Sequence, residues 1–231
     1  MNPGTLFVVA TPIGNLEDMT FRAVRLLSEV GAIACEDTRQ TLKLLNRYQI
    51  KKPLISYYQP HEGRKIPEIL GLLLGGKDVA LVSDSGTPGI SDPGYRLVVE
   101  ALRGGIKVVP VPGPNAAASA LSASGLPTHR FLFIGFPPPK AAAGRKLLLS
   151  LVEEEGTLVF YLPTRKVEDF LGLVLETLGD RFAVIARELT KIHEEFIRGR
   201  VSALLAKPGI SSLKGEAVAL IQGKSRKAIV I

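Results

Sequence analysis

Short apolar runs alternate with segments of helical periodicity along the chain. The first run, residues 6–10, is continuously apolar, as is typical of a strand buried on both faces of a parallel sheet. Asp92 and Pro93 have the residue types of a helix N-cap and first turn. The pattern predicts strands at residues 6–10, 32–35, 78–83 and 106–111, and helices at 20–30, 38–48, 65–74 and 93–103.

The alternation restarts in the second half of the chain, after a Pro-Gly-Pro sequence at 112–114 and a helix of small residues at 115–124. Repeated strand–helix alternation indicates the α/β class, with open, mostly parallel sheets that carry helices on both faces. We expect two lobes of similar size that join near residues 112–116. The second set of strands is predicted at 131–135, 157–161, 182–187 and 216–222, and the helices at 141–154, 165–178 and 201–206.

Three loops rich in glycine and proline follow predicted strands, at residues 11–15, 83–94 and 112–116. Ligands of open α/β sheets bind beyond the carboxyl ends of the strands, and glycine lets a ligand approach backbone amides closely. One such loop is most simply a tight turn, whereas three at one sheet edge favour a ligand site.

The loop sequences limit the kind of ligand. Neither a P-loop sequence nor a G-x-G-x-x-G after the first strand is present, so the common triphosphate and dinucleotide fingerprints are missing. Loops that offer backbone groups without a fixed cation suit a zwitterionic nucleoside better than a triphosphate. The residues by themselves do not identify the ligand further.

A second candidate site is the sequence Glu36-Asp37-Thr38-Arg39, at the end of the second predicted strand. Two carboxylates beside an arginine suit the positioning or deprotonation of a hydroxyl group. The same residues also suit a helix start, with Asp37 or Thr38 as the N-cap and Glu36 and Arg39 as a surface pair. The sequence leaves both interpretations open.

Positive charge is concentrated next to this second site. Arg39, Lys43 and Arg47 recur every four residues and share one helix face, and the whole chain has a net charge of +7. Basic groups bind phosphates, and aromatic rings stack on the bases of single-stranded nucleic acid. The pattern favours a nucleic-acid surface over a solvated basic face with core tyrosines. The aromatic residues nearby are Tyr48, Tyr57, Tyr58 and His61.

Several classes of protein are disfavoured by what the sequence lacks. The single cysteine, Cys35, cannot form a disulfide within the chain and is expected to be a small buried residue on a strand. His129 and His193 are isolated, and no Cys/His cluster has zinc spacing. The chain shows no signal-peptide pattern and no apolar run that could span a bilayer. We therefore expect a cytoplasmic protein without a membrane segment.

At these loops the sequence resembles the bacterial ribosomal small-subunit RNA 2′-O-ribose methyltransferase I family, within the wider tetrapyrrole (corrin/porphyrin) methylase superfamily. Each matching segment is short, but their order and spacing run through nearly the whole chain, and the combination is specific. The segments are residues 11–16, 36–39, 82–88, 91–94, 112–114, 135–136, 186–191 and 214–216.

The resemblance implies an α/β fold of the class III methyltransferase type, with open mixed sheets in two lobes, residues 1–113 and 114–231. It implies a homodimer, no metal, and S-adenosylmethionine as the methyl donor, bound in the cleft between the lobes. The implied partner is small-subunit ribosomal RNA or the assembled small subunit, and the implied target is a cytidine ribose in its decoding region.

The resemblance also assigns roles to residues. In the implied reaction the ribose 2′ oxygen attacks the sulfonium methyl in line, so the enzyme mainly supplies alignment. Glu36 and Asp37 are our candidates for the proton acceptor, and Arg39, Lys43 and Lys191 are candidates for holding the RNA. Donor contacts are implied for Pro12, Gly14, Asp84, Gly86, Thr87, Ile90, Asn115, Ala116, Leu162 and Ala217.

The sequence departs from the family pattern in three places. Residues 161–166 lack a glutamate and a histidine of the family, Asn115 stands where a small residue is common, and many members continue beyond the last strand into a basic helical extension. Two alternatives follow. One is a tetrapyrrole C-methyltransferase, although the glycine-rich loop sequences usual in that branch are absent. The other is a non-catalytic RNA-binding module with the same fold.

Overall fold

The structure is a computed structural model that describes residues 2–59 and 62–224. The chain divides into two compact units, Met1–Asn115 and Ala116–Ile231. His61, part of the predicted nucleic-acid surface, and residues 225–231 lie outside the described residues. No helix in the described part of the chain is long and apolar enough to cross a membrane.

The first unit holds a parallel five-stranded sheet in the order β3-β2-β4-β1-β5. Parallel strands need crossover connections, and the helices that supply them cover both faces of the sheet. The strands are β1 (Thr5–Val9), β2 (Ala32–Cys35), β3 (Leu54–Ser56), β4 (Val79–Val82) and β5 (Lys107–Val111), and the helices are α1 (Phe21–Glu29), α2 (Thr38–Arg47), α3 (Glu62–Leu74) and α4 (Tyr95–Arg103).

Alternate residues of the central strands face two separate apolar layers. In β2, Ile33 and Cys35 pack in the layer that contains α1 and α2, whereas Ala32 and Ala34 pack in the layer that contains α3 and α4. Every residue of β2 and β4 is buried, which explains why these strands are continuously apolar. Cys35 is fully buried as expected, and burial raises the pKa of its thiol.

The second unit holds a mixed sheet in the order β6-β7-β10-β8-β9. Among the described residues the β6–β7 pair is the one parallel pair of this sheet, because β10 runs antiparallel between β7 and β8, and β9 pairs antiparallel with β8. The elements are α5 (Ala116–Ser124), β6 (Phe131–Gly135), α6 (Ala141–Ser150), β7 (Thr157–Pro163), α7 (Val167–Leu178), β8 (Phe182–Arg187), β9 (Glu195–Arg200), α8 (Val201–Leu205) and β10 (Glu216–Ile221).

The structure confirms the α/β class and the mixed sheets, and it corrects several predictions. The expectation of mostly parallel sheets is wrong for the second unit, where β10 inserts between β7 and β8. The short strand β3 and the strand β9, which carries charged residues and a glycine, were not predicted. Asp92 does not cap α4, which starts at Tyr95 with Gly94 as its N-cap residue.

Candidate active site

A pocket of about 410 Å³ opens where three neighbouring strands of the first unit end. Cys35 in β2 pairs with Ser56 in β3 and with Val82 in β4. Since these strands are parallel, the residues that follow them meet at one edge of the sheet. The pocket is lined by Glu36, Asp37, Thr38, Arg39, Ser56, Tyr58 and Asp84.

Asp37 stabilises the start of helix α2. Its Oδ1 accepts hydrogen bonds from the backbone N–H of Arg39 at 2.8 Å and from Arg39 Nε at 3.1 Å, and its Oδ2 accepts one from Arg39 Nη2 at 2.7 Å. It is the N-cap residue of α2. The hydrogen bonds from Arg39 lower the pKa of Asp37 to about 2. Asp37 is therefore a weak base, and the helix-cap interpretation is correct for this residue.

Glu36 has the opposite environment. It is half-buried, and within residues 2–59 and 62–224 it has no hydrogen bond or ion pair. Burial raises the pKa of its carboxyl group, and the carboxylates of Asp84, Asp92 and Asp37 raise it further. Desolvation and neighbouring like charge both make a carboxylate more basic. Glu36 is thus suited to accept a proton. Of the two carboxylates that the sequence offered as proton acceptors, Glu36 fits this role and Asp37 does not.

Asp84 connects the two loops that frame the pocket. Its Oδ1 accepts a hydrogen bond from the backbone N–H of Asp37 at 3.0 Å. Asp84 is exposed, but desolvation by the surrounding protein raises its pKa, and the Asp37 carboxylate also raises it. The sequence placed Asp84 in the donor loop only, whereas the structure places it in the same pocket as Glu36.

Asp92 is not one of the residues that line this pocket, but its carboxylate affects the pKa of Glu36. Since it does not cap α4, its half-buried carboxyl group is hydrogen-bonded to the side chain of Ser83 instead. Burial raises the pKa of Asp92 to about 6, and the Asp84 carboxylate contributes to the rise. The preceding residue, Ser91, has a left-handed backbone with φ 64°, a conformation in which non-glycine residues are strained.

The three glycine- and proline-rich loops lie together, as predicted. The backbone N–H of Thr11 donates to the Gly86 carbonyl at 2.8 Å, and the Gly86 N–H donates to the Thr11 carbonyl at 3.1 Å. The Thr87 hydroxyl donates to the Pro114 carbonyl at 3.1 Å. At Gly86 the φ of +82° favours glycine, and a Cβ would lie 3.4 Å from Ile13 Cγ2.

This loop cluster can be compared with the chemistry of the implied donor. Gly14 and Ile90 are exposed on its surface, and Pro12, Thr87 and Asn115 are partly exposed. The cluster contains no lysine or arginine, and Asp84 borders it. A backbone-rich surface beside a carboxylate fits a nucleoside that carries a cationic sulfonium. Ala116 begins α5 in the second unit, and its donor role stays a prediction.

In the second unit, Leu162 and Ala217 are paired in register on the adjacent strands β7 and β10. The ends of these strands are tied together at Gly215, whose carbonyl accepts hydrogen bonds from the Thr164 N–H at 3.0 Å and the Thr164 hydroxyl at 2.9 Å. The structure therefore brings Leu162 and Ala217 side by side. Their contact with the donor stays a prediction.

Lys191 is already engaged by two carboxylates. Its Nζ lies 3.0 Å from Glu188 Oε1 and 3.3 Å from Glu216 Oε2. Glu188 and Thr190 flank it with left-handed backbones, at φ 49° and 65°. An RNA phosphate would have to compete with Glu188 and Glu216 for Lys191, so the predicted phosphate contact is not preformed.

The basic face of α2 forms as predicted, with Arg39, Lys43 and Arg47 all exposed. The nearby tyrosines have different environments. Tyr57 is buried, and its hydroxyl donates to Glu62 Oε2 at 3.2 Å, while the Tyr48 hydroxyl donates to the Leu16 carbonyl. These two tyrosines support the fold, and Tyr58 lines the pocket.

The sequence did not identify Ser56 and Tyr58 as neighbours of Glu36. Both depend on β3, which has only three residues and falls below the length at which periodicity can be recognised. The aromatic residues at 57–58 were the available signal, but only the pairing of β3 with β2 directs Tyr58 to the pocket.

The fold and this arrangement of loops define the class of protein. A profile of the family described as Tetrapyrrole (Corrin/Porphyrin) Methylases matches residues 5–205. A solved cobalt precorrin-4 methyltransferase has a TM-score of 0.69 at 18% identity, covering 94% of both chains. A uroporphyrin-III-C-methyltransferase from Thermus thermophilus has a TM-score of 0.64 at 23% identity, covering 95% of this chain and 94% of its own. These two likenesses show a shared fold.

Relatives of higher identity narrow the class. Proteins named Ribosomal RNA small subunit methyltransferase I from Halalkalibacterium halodurans, Thermotoga maritima and Bacillus subtilis are 47%, 48% and 43% identical over 97%, 96% and 98% of this chain. The chain covers 78%, 99% and 77% of these relatives. The chain belongs to this methyltransferase family, within the tetrapyrrole methylases, and is an enzyme.

Proposed function

We propose that this enzyme transfers a methyl group from S-adenosylmethionine to the ribose 2′ oxygen of a cytidine in small-subunit ribosomal RNA. The observation that carries the proposal is Glu36, a half-buried carboxylate without a partner among the described residues, in a pocket beside an exposed basic helix face. The names of the relatives, Ribosomal RNA small subunit methyltransferase I, support RNA over a tetrapyrrole as the substrate.

In this proposal the loop cluster of the first unit holds the donor. Pro12, Gly14, Gly86, Thr87 and Ile90 provide backbone groups and a close-fitting surface, with Asp84 at the border. When bound, S-adenosylmethionine supplies an electrophilic methyl group on a cationic sulfonium. The protein mainly aligns the two reactants, which converts a bimolecular step into one with a high effective concentration.

Glu36 accepts the proton that the 2′ hydroxyl loses as its oxygen becomes an ether. Its raised pKa makes it a better acceptor than Asp37, whose hydrogen bonds with Arg39 lower its pKa. The exposed side chains of Arg39, Lys43 and Arg47 hold RNA phosphates outside the pocket. Lys191 joins them only after it leaves Glu188 and Glu216.

A substrate in the small ribosomal subunit places the enzyme in the cytoplasm. We also propose that it acts as a homodimer. The resemblance to this methyltransferase family implies that state. Sedimentation at micromolar concentration tests this proposal, and a monomer there would contradict it.

The central test is transfer of labelled methyl from S-adenosylmethionine to isolated small ribosomal subunits, followed by nuclease mapping of the label. We expect label on a 2′-O-methyl cytidine, and loss of most transfer in the Glu36→Gln variant. Donor binding without transfer to RNA would contradict the substrate assignment. Absence of donor binding would contradict S-adenosylmethionine as the donor.

A further inference from the structure

We propose that the pocket at the ends of β2, β3 and β4 holds the base of the target nucleotide, with Tyr58 stacking on the base and Asp84 accepting a hydrogen bond from its exocyclic amino group. This inference rests on the proposed function and deepens it, since it names residues that select an amino-bearing base over uracil.

The size of the pocket suits one nucleotide. Its volume of about 410 Å³ lies within the range of roughly 300–1,000 Å³ that small-molecule sites occupy. The pocket is open to solvent, so a nucleotide that leaves its stack can place its base there, as the target base does in enzymes that act on flipped bases.

Tyr58 provides the aromatic surface that a flipped base requires. It is 39% exposed, whereas the preceding Tyr57 is 1% exposed and hydrogen-bonded to Glu62. The anchored Tyr57 fixes the backbone at the end of β3, and Tyr58 lines the pocket from there. An exposed ring on an anchored backbone is suited to stack on a base.

Asp84 provides the acceptor. Its Oδ1 is occupied by the backbone N–H of Asp37 at 3.0 Å, and among the described residues its Oδ2 receives no hydrogen bond. A carboxylate accepts hydrogen bonds but donates none. Cytosine and adenine present an amino donor at this edge of the base, whereas uracil presents the O4 acceptor. Asp84 therefore favours cytosine or adenine and repels uracil.

The distribution of charge supports the same occupant. The pocket contains the carboxylates of Glu36, Asp37 and Asp84, which disfavour a phosphate inside it. The Arg39 side chain at the rim is 87% exposed, and Lys43 and Arg47 continue the basic face. The base thus enters the acidic pocket while the backbone phosphates remain on the basic surface. The raised pKa of Asp84 fits a group that gains from a new hydrogen-bond donor.

The test compares two preparations of small ribosomal subunits whose RNAs differ only in cytidine or uridine at the methylated position, using kcat/KM for labelled methyl transfer. Asp84→Asn keeps an oxygen for the Asp37 N–H but presents an amide NH₂ to the pocket. We expect wild type to prefer cytidine by about 10-fold to 100-fold. In Asp84→Asn this ratio should fall at least 10-fold, because the amide donates to uracil O4 and no longer accepts from cytosine.

Three further variants complete the test. Asp92→Asn removes a nearby carboxylate that does not line the pocket, and the cytidine-to-uridine ratio should stay at the wild-type value. Tyr58→Ala should raise KM for both RNAs about 10-fold by loss of stacking, while Tyr58→Phe should preserve KM. An unchanged ratio in Asp84→Asn with a normal melting temperature would overturn the inference, and so would a normal KM in Tyr58→Ala.

Titration of S-adenosylmethionine by calorimetry tests the alternative explanation, that the pocket binds the methyl donor and not the base. If Asp84→Asn weakened donor binding and left the base ratio unchanged, the pocket would belong to the donor and the inference would be wrong. If wild type bound the donor but methylated neither RNA, the proposed function itself would fail, and this inference with it.

Discussion

At the scale of single residues, adjacent carboxylates have different chemistry because of the backbone around them. Asp37 starts α2 and binds Arg39 through both oxygens, while Glu36, one residue earlier, has no hydrogen-bond partner among the described residues. Their pKa values move in opposite directions for this reason. The sequence proposed both as proton acceptors, and only the environments separate them.

The first prediction concerns Glu36→Gln, which removes the proton acceptor while keeping the side-chain shape. We expect kcat for methyl transfer to fall about 100-fold. In wild type kcat should fall as pH falls through the raised pKa of Glu36, and in the variant this decline should disappear. Asp37→Asn, which keeps the cap oxygen for the Arg39 N–H, serves as the control and should lose much less activity. Full activity in both variants would refute the general-base role.

The second prediction concerns Asp92→Asn and the stability of the fold. Asp92 binds its proton more tightly when folded, so the stability it contributes is present below pH 3.8 and lost as pH rises through about 6. The variant has no such loss. At pH 7.5 it should be more stable than wild type by about 1 kcal/mol, a figure that already allows for solvent screening of the partly exposed carboxyl group. Near pH 4 the two proteins should have similar stability.

Urea unfolding at these two pH values measures the effect of Asp92→Asn. Asp180→Asn is the control with the opposite sign. The N–H and hydroxyl of Ser202 each lie 2.8 Å from Asp180 and lower its pKa. The stability from Asp180 is present above its ordinary pKa and lost as pH falls, so this variant should be destabilised at pH 7.5. A pH-independent difference for Asp92→Asn would contradict the buried-acid interpretation.

At the scale of secondary-structure elements, strand ends determine where chemistry can occur. In the first unit the parallel register aligns the residues after β2, β3 and β4 and forms the pocket. In the second unit the start of β10 meets the ends of β7 and β8, and Gly215 precedes β10 at this junction. Glycine is required there because the backbone has φ +94° and contacts the Glu188 side chain.

The third prediction tests this junction with Gly215→Ala. A Cβ at this position would lie 2.1 Å from Glu188 Oε1, so the side chain that holds Lys191 and the Glu216 N–H has to move. We expect the free energy of unfolding to fall by about 1–3 kcal/mol. Gly172→Ala in α7, where a Cβ meets nothing within 4 Å, should instead stabilise the protein by about 0.5–1 kcal/mol. Equal effects in the two variants, measured by urea unfolding, would contradict this account.

At the scale of the whole molecule, the net charge of +7 attracts a polyanion, and the exposed face of α2 concentrates part of that charge beside the pocket. Contacts with phosphates release counterions, which makes RNA affinity depend steeply on salt. The acidic pocket and the basic helix face thus have separate roles, selection of a base and attachment of the backbone.

The fourth prediction is that the double variant Lys43→Gln/Arg47→Gln raises KM for RNA and reduces the slope of log affinity against log salt by about 1.4–1.8. Its kcat should remain near the wild-type value, because neither side chain lines the pocket. Lys65→Gln/Lys77→Gln, which removes two charges elsewhere in the first unit, is the matched control. RNA binding between 50 and 200 mM salt measures the slope, and equal slopes in the two double variants would show that α2 does not contact RNA.

The sequence by itself determined the α/β class and most strands and helices, because these follow from apolar periodicity and local turn chemistry. It also indicated the three loops and the Glu36–Arg39 segment, since glycine, proline and clustered charges are visible without a fold. The resemblance to known methyltransferases added the reaction and the donor, and membership of that family is confirmed.

Only the tertiary structure decided what depends on pairing between distant segments. β3 brought Tyr58 to Glu36, the Asp37–Asp84 hydrogen bond joined two loops 47 residues apart, and β10 made the second sheet mostly antiparallel. Asp92, predicted as a helix cap, is instead a half-buried acid for the same reason. Hydrophobic periodicity records which face of an element is buried, but strand order and side-chain environment come from non-local contacts that no local pattern contains.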